Sequence, residues 1–164
     1  MICTKGRPTV ANEEHLQQVQ AGPVSWNRWR ADNPKVRPDL ARADLAGANL
    51  AGANLTKADL TGAHLTGANL TKADLTGADL AGARLKEAHL GGANLAEAYL
   101  WGANLARANL AGANLTKADL TGAHLTGAYL VGADLTEANL EGAYLEGANL
   151  RGVLPGDQKE RETK

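Results

Sequence analysis

The sequence predicts an all-β solenoid, a chain coiled around its own apolar axis, closed at one end by a small α-helical cap. Three observations carry that expectation. Leucine falls on every fifth residue from Leu40 to Leu150 without a miss. Alanine stands two residues before each leucine from Ala43 to Ala148, and glycine usually stands two residues after it. Just ahead of this stretch, Trp26 and Trp29 lie three apart between Pro23 and Pro34.

A period of five fits neither common element. An α-helix advances about 100° per residue, so successive leucines would sit roughly 140° apart and ring the cylinder. A glycine in most units would cost such a helix about 1 kcal/mol each against alanine. A flat strand alternates faces every residue, so an odd spacing sends successive leucines to opposite sides. The leucines stay together only if the chain turns a corner in every unit. Within a unit, Ala43 and Leu45 share the inward side of a short extended segment, while Asp44 and Ala46 point outward. Gly47 then falls at or near the corner, where freedom from Cβ crowding is cheapest. Leu60, Leu65, Leu70 and Leu75 are representative core residues. Alanine suits the second inward position, because several side chains must meet in a narrow lumen at crystal-like density.

Units such as Ala58-Asp59-Leu60-Thr61-Gly62 and Ala113-Asn114-Leu115-Thr116-Lys117 resemble the A(D/N)LXX unit of the pentapeptide-repeat proteins. The resemblance covers about two-thirds of the chain. It implies a right-handed quadrilateral parallel β-helix with four units per coil. Periodicity alone leaves three or four units per coil open: Ala48–Ala68 recurs letter for letter as Ala108–Ala128, an offset that both windings satisfy. With four, and strands about 4.8 Å apart, the rod would hold between five and six coils and run roughly 26 Å.

Four regions follow. Residues 1–11 read as a flexible start and 12–38 as the helical cap. Residues 39–152 are the repeat, and 153–164 a charged, disordered tail. Asn12 is positioned to cap a helix running to Gln20, with Leu16 and Val19 on one side. Gly22-Pro23 breaks the chain, and Pro23 suits the first position of a second helix that stops before Asn33-Pro34. Trp26, Trp29 and Val24 are the expected lid over the first coil, since a bare lumen and open strand edges invite association. The segment Trp26-Asn27-Arg28-Trp29-Arg30, leading to Pro38-Asp39-Leu40, is similar to the N-terminal cap of some bacterial pentapeptide-repeat proteins. Arg28, Arg30, Lys35 and Arg37 make this segment basic. It reads as a solvated helix face, and direct nucleic-acid binding is not expected. At the far end the pattern fails at Val153-Leu154-Pro155 with no cap in view. Self-association through the last coil, including a homodimer, is therefore an option.

Chemistry is sparse. The chain of 164 residues is near neutral at −1, and its lone Cys3 offers neither disulfide nor CxxC metal pair. Met1-Ile2-Cys3-Thr4-Lys5 turns polar at once and no long apolar run follows, so a cytoplasmic protein without a membrane span is expected. The threonines lack a fixed base, a closed leucine lumen leaves no substrate pocket, and all four histidines read as surface residues. No enzyme, metal or cofactor is expected.

With four-sided winding, residues twenty apart stack into ladders. One side displays Asp39, Asp59, Asp79, Tyr99 and Asp119, with Glu141 further along and only Arg42 to offset them. Tyr99 and Trp101 flank Leu100 and should both point outward, the best candidate for an interface. The expected function is a rigid binding or scaffold module with a protein partner of undetermined identity, Asp59, Asp79 and Asp119 completing its surface. The alternative comes from the resemblance. Some members of the family imitate DNA and bind gyrase or another type II topoisomerase, protecting against quinolones. Against it, the repeat holds 12 acidic and 8 basic residues, a net charge of only −4.

Overall fold

A computed structural model describes residues 11–154. The expected flexible start and charged tail lie outside the described residues, apart from Ala11, Val153 and Leu154. Two helices precede the repeat, α1 at Glu13–Gln20 and α2 at Pro23–Asp32. Asn12 caps α1 as its sequence suggests: extended backbone at φ −62° and ψ 125°, with Oδ1 accepting the His15 N–H at 3.2 Å. Pro23 opens α2, and the Asn33 N–H closes it on the Trp29 carbonyl at 2.9 Å.

From Asp39 onward the chain is a four-sided parallel β-helix. Successive bridges join Asp39 to Asp59, Asp44 to His64, Asn49 to Asn69 and Asn54 to Asp74, then repeat. One coil therefore takes twenty residues and has four sides, which decides between three and four. Each side is short. The leucine N–H donates to the coil ahead, as Leu40 does to Asp59 at 2.8 Å, and the residue before the next leucine in the stack donates back, as Asp59 does to Pro38 at 2.8 Å. Between sides a β-turn is closed by bonds such as Ala43 N–H to the Leu40 carbonyl at 3.0 Å. Its third residue takes positive φ, 65° at Gly47, where glycine carries no Cβ penalty. Eight of these corners hold a charged residue instead, Lys57 at φ 56° among them.

The lumen is filled by leucine and alanine. Leu60, Leu65, Leu70 and Leu75 are fully buried, as is every leucine of the repeat through Leu135. Each contributes on the order of 1.5–3 kcal/mol, and no coil buries its own faces alone, so stability accumulates between neighbours.

The cap closes the first coil with Trp26, 0% exposed, whose Nε1 donates to the Asn54 carbonyl at 2.7 Å. Trp29 stacks on it at 5.1 Å and is partly buried. Val24 does not join the lid. It is 76% exposed, because two residues of helix carry it roughly 160° around from Trp26. His15 corrects the expectation that every histidine lies on the surface. It is buried against Trp29, and its Nδ1 accepts the Asp39 N–H at 2.9 Å. The basic segment is also partly structural. Arg30 is buried, donating to the Val36 carbonyl at 2.7 Å and the Thr56 hydroxyl at 3.2 Å, and desolvation lowers its pKa from the usual value. Arg37 reaches across to the Lys57 carbonyl.

Candidate interaction surface

Because the lumen is closed, every functional group of the rod stands on its outside, at ladder positions set by the parallel bridges. On the first side, Asp39, Asp59, Asp79, Tyr99, Asp119 and Asn139 stack in one unbroken ladder. Their carboxylates are held in place. Oδ1 of Asp59, Asp79 and Asp119 accepts the backbone N–H two residues on, at 3.1, 3.1 and 3.0 Å. One oxygen of each is thus tied into the turn.

The structure divides this side in two. Arg37 lies 3.7 Å from Asp59, so the end nearest the cap carries Arg37 and Arg42 against Asp39 and Asp59. Arg37 was legible in the register, twenty residues before Lys57, but it sits outside the leucine pattern and so escapes a count of repeat charges. Further along, Asp79, Asp119 and Glu141 have no cation within 4 Å among the described residues. Between them stand Tyr99, 57% exposed, and Trp101, 61% exposed. The sequence-predicted residues Tyr99, Trp101, Asp79 and Asp119 thus share one side, with Tyr99 bridged to both aspartates. Asp59 stands on the same ladder, engaged by the cap segment. Trp26 and Trp29 belong to the lid, away from this surface.

The other sides are more mixed. His64 meets Asp44 at 3.4 Å, and His124 stacks on Tyr144 at 4.6 Å. An open notch of about 600 Å³ is lined by His89, Asn109, Ala111, Tyr129, Val131 and the Arg107–Glu87 pair at 3.7 Å. On the fourth side, the Thr136 hydroxyl and N–H, joined by the Thr116 hydroxyl, hold the Asp134 carboxyl below its ordinary value. Lys117 pairs with Glu137 at 3.7 Å, and among the described residues no ion pair joins it to Glu97. Among the described residues no group of three or more His, Cys, Asp or Glu is placed to hold a metal, and no helix is long and apolar enough to cross a membrane.

Twenty-residue coils, four-sided section, leucine-filled lumen and outward ladders define the class: a quadrilateral β-helix that presents side chains in fixed rows. The pentapeptide-repeat model matches residues 39–77, 83–122 and 113–152, eight copies in all, and the chain belongs to that family. Its winding is the family's right-handed one. Among solved structures it is similar to HetL of the cyanobacterium Nostoc sp. strain PCC 7120, a protein involved in heterocyst differentiation regulation. The two are 38% identical over 72% of this chain and 64% of HetL, with a TM-score of 0.62. It is also similar to Rfr23 of the cyanobacterium Cyanothece 51142, 44% identical over 56% of this chain and 63% of that one, with a TM-score of 0.54. The chain thus spans a little less than two-thirds of the length of either. QnrB1, a plasmid-mediated fluoroquinolone resistance protein, is 22% identical over 70% of this chain and 77% of that one; its TM-score of 0.46 carries no argument about a shared partner. A search of the curated proteins gives no match.

Proposed function

We propose that this protein is a non-enzymatic recognition rod, acting in the cytoplasm, that binds a protein partner through the side bearing Tyr99 and Trp101. One observation carries the reading. Two neighbouring aromatic side chains stand more than half exposed on a rigid ladder, between carboxylates already oriented by their own turns. Large aromatics dominate interface energetics when a partner covers them. Here they sit on backbone that gives up little further freedom on binding, which keeps the ordering cost low. Asp79, Asp119 and Glu141 around them favour a partner with a basic patch, and such charges act mostly on encounter rate and orientation. That HetL is described as involved in regulation agrees with a binding role and adds nothing about the partner.

The test is capture from the source cell's extract with the intact chain as bait, compared with Tyr99→Ala/Trp101→Ala. Partners retained by the parent and lost from the double variant support the reading. The same set bound to both removes this side from consideration. The DNA-imitating alternative draws on the resemblance, the rod shape and the acidic ladder, and Arg37 partly neutralises that ladder at Asp59. A gyrase supercoiling assay decides it: neither inhibition nor quinolone protection at micromolar protein excludes a topoisomerase partner.

A further inference from the structure

The third side of the rod carries an opening that its own repeat does not fill. His89, Asn109 and Tyr129 are consecutive rungs of one ladder, and all three line the notch of about 600 Å³. Asn109 is the short rung. An imidazole and a phenol therefore stand two rungs, about 9.6 Å, apart on the ladder with no ring between them. On the second side, His124 and Tyr144 occupy neighbouring rungs and stack at 4.6 Å and 18°. Adjacent rungs of this β-helix thus bring rings into stacking contact, and the rung at 109 lacks its ring.

Gly91 keeps the space open. Twice elsewhere in the repeat an outward asparagine amide is tied down by a threonine 18 residues before it, Asn94 to the Thr76 hydroxyl at 2.8 Å and Asn139 to the Thr121 hydroxyl at 3.0 Å. The residue in that relation to Asn109 is Gly91. It is the one glycine of the repeat that does not stand at a left-handed corner, and a Cβ there would meet only the Ala111 carbonyl oxygen, at 3.9 Å. Neither backbone conformation nor crowding calls for glycine at 91. With no hydroxyl there, Asn109 Nδ2 has no acceptor among the described residues, while its Oδ1 accepts the Ala111 N–H at 3.0 Å.

We propose that this notch binds a purine-type heteroaromatic ring, held between His89 and Tyr129 with a bare ring nitrogen accepting from Asn109 Nδ2. A ring at the empty rung lies about 4.8 Å from each wall, inside the range of centroid distances at which aromatic pairs stack. A purine is flat enough to enter and wide enough to cover both walls, and it carries acceptor nitrogens on several edges. A saturated ring of the same size lacks the π faces. Arg107 and Lys86 both lie against Glu87, at 3.7 and 3.9 Å, so charge contributes little and the neutral base is what the site reads. A nucleic-acid strand needs several free cations along its backbone, and a single empty rung takes a single base. The ligand is therefore a free purine base or nucleoside. The site lies on the third side, apart from Tyr99 and Trp101 on the first, and is independent of the partner proposed above.

The test is an NMR titration of the full 164-residue chain with adenosine. Stacking on two faces of an open notch predicts a dissociation constant of about 0.1–1 mM. The ring protons of His89 and Tyr129 and adenosine H2 and H8 should all move upfield, the mark of face-to-face stacking. The Asn109 Nδ2 protons should move downfield on accepting a partner. No saturable shift up to about 5 mM adenosine overturns the proposal. Gly91→Thr returns a hydroxyl to the position from which Thr76 and Thr121 hold their asparagines, and should weaken binding about ten-fold. Asn109→Tyr supplies the missing ring, on a ladder that already carries Tyr129, and should abolish binding. An unchanged constant in either folded variant overturns the proposal; should Asn109→Tyr fail to fold by circular dichroism, Gly91→Thr decides. Methyl glucopyranoside binding as tightly as adenosine overturns the stacking, and retention of an adenylate oligomer without adenosine overturns the free ligand. Adenosine binding should persist in Tyr99→Ala/Trp101→Ala, which separates this site from the aromatic side.

Discussion

Glu97 and Gly102 occupy the same corner position in successive units, at φ 59° and 61°. They offer a clean measure of how firmly the β-helix holds its corners. A Cβ placed on Gly102 would meet nothing within 4 Å, and Glu97 makes no ion pair among the described residues. Crowding and charge are therefore nearly absent, and the difference between the corners is conformational. An L-residue in the left-handed region is strained by about 1–2 kcal/mol. Glycine avoids that strain but gives up about 0.5–1 kcal/mol more chain entropy on folding. The balance favours glycine by about 0.5–1 kcal/mol per corner.

Glu97→Gly should therefore stabilise the rod by about 0.5–1 kcal/mol, and Gly102→Ala should destabilise it by a similar amount. Glu97→Ala keeps the strain and isolates the loss of the side chain. For a chain of this size the shifts amount to about 1–4 °C in Tm, measurable by circular dichroism in thermal scans and in guanidinium. The sign is the decisive feature. Where the native backbone suits alanine, Gly→Ala stabilises a protein by about 0.4–1 kcal/mol through the unfolded chain. A more stable Gly102→Ala variant, or a Glu97→Gly variant no more stable than Glu97→Ala, would refute the corner geometry. Other corners are poorer tests. The stems of Arg42, Lys57, Lys72 and Arg107 lie 3.5–3.6 Å from where a Cβ would stand on the glycine of the next coil. Removing them mixes packing with conformation.

Three further outcomes follow from the same geometry. Leu90→Ala, in a fully buried mid-rod position, should cost about 2–5 kcal/mol and lower the denaturant midpoint, while Leu150→Ala at the 41% exposed end costs under about 1 kcal/mol. Trp26→Phe leaves the Asn54 carbonyl without its donor and should cost about 1–3 kcal/mol, with amide exchange rising first at residues 39–58. Thr136→Val removes the largest cause of the depressed Asp134 pKa. An NMR titration should show its midpoint move up toward the ordinary carboxylate value. In the parent, the stabilising effect of this carboxylate is complete above that ordinary value and is lost as pH falls through the depressed one.

What was legible in the sequence follows from burial. Inward positions are constrained by the lumen, so leucine and alanine recur without exception, and the coil can be read from any stretch of ten residues. Four sides could not be counted that way: a repeat copied after sixty residues divides equally well by fifteen and twenty, and only the Asp39–Asp59 bridge settles it. The cap was legible in Asn12, Pro23 and Trp26, whose local chemistry dictates caps, starts and lids. His15 and Val24 were not, because their environments depend on how two short helices lie across a coil distant in sequence. A lone histidine on an amphipathic helix carries no sign that its Nδ1 will meet the Asp39 N–H.

The outward positions are poorly legible for the opposite reason, and that bears on function. A corner or ladder position on the outside tolerates Asp, Asn, His, Arg or Tyr with the same backbone, as the stack of Asp44, His64, Arg84, Asn104, His124 and Tyr144 demonstrates on one side. Fold stability therefore exerts little control over what the surface displays, and the rod can hold almost any pattern at a spacing of about 4.8 Å. On such a scaffold an exposed aromatic is not required by the repeat. Asp, Asn or Thr at positions 99 and 101 would satisfy the same turn, as Asp119 and Thr121 do one coil later. Tyr99 and Trp101 forgo that local hydrogen bond and leave two large apolar surfaces in water. A covering partner would turn both of those losses into contact area, which is why this rung is the place to perturb first.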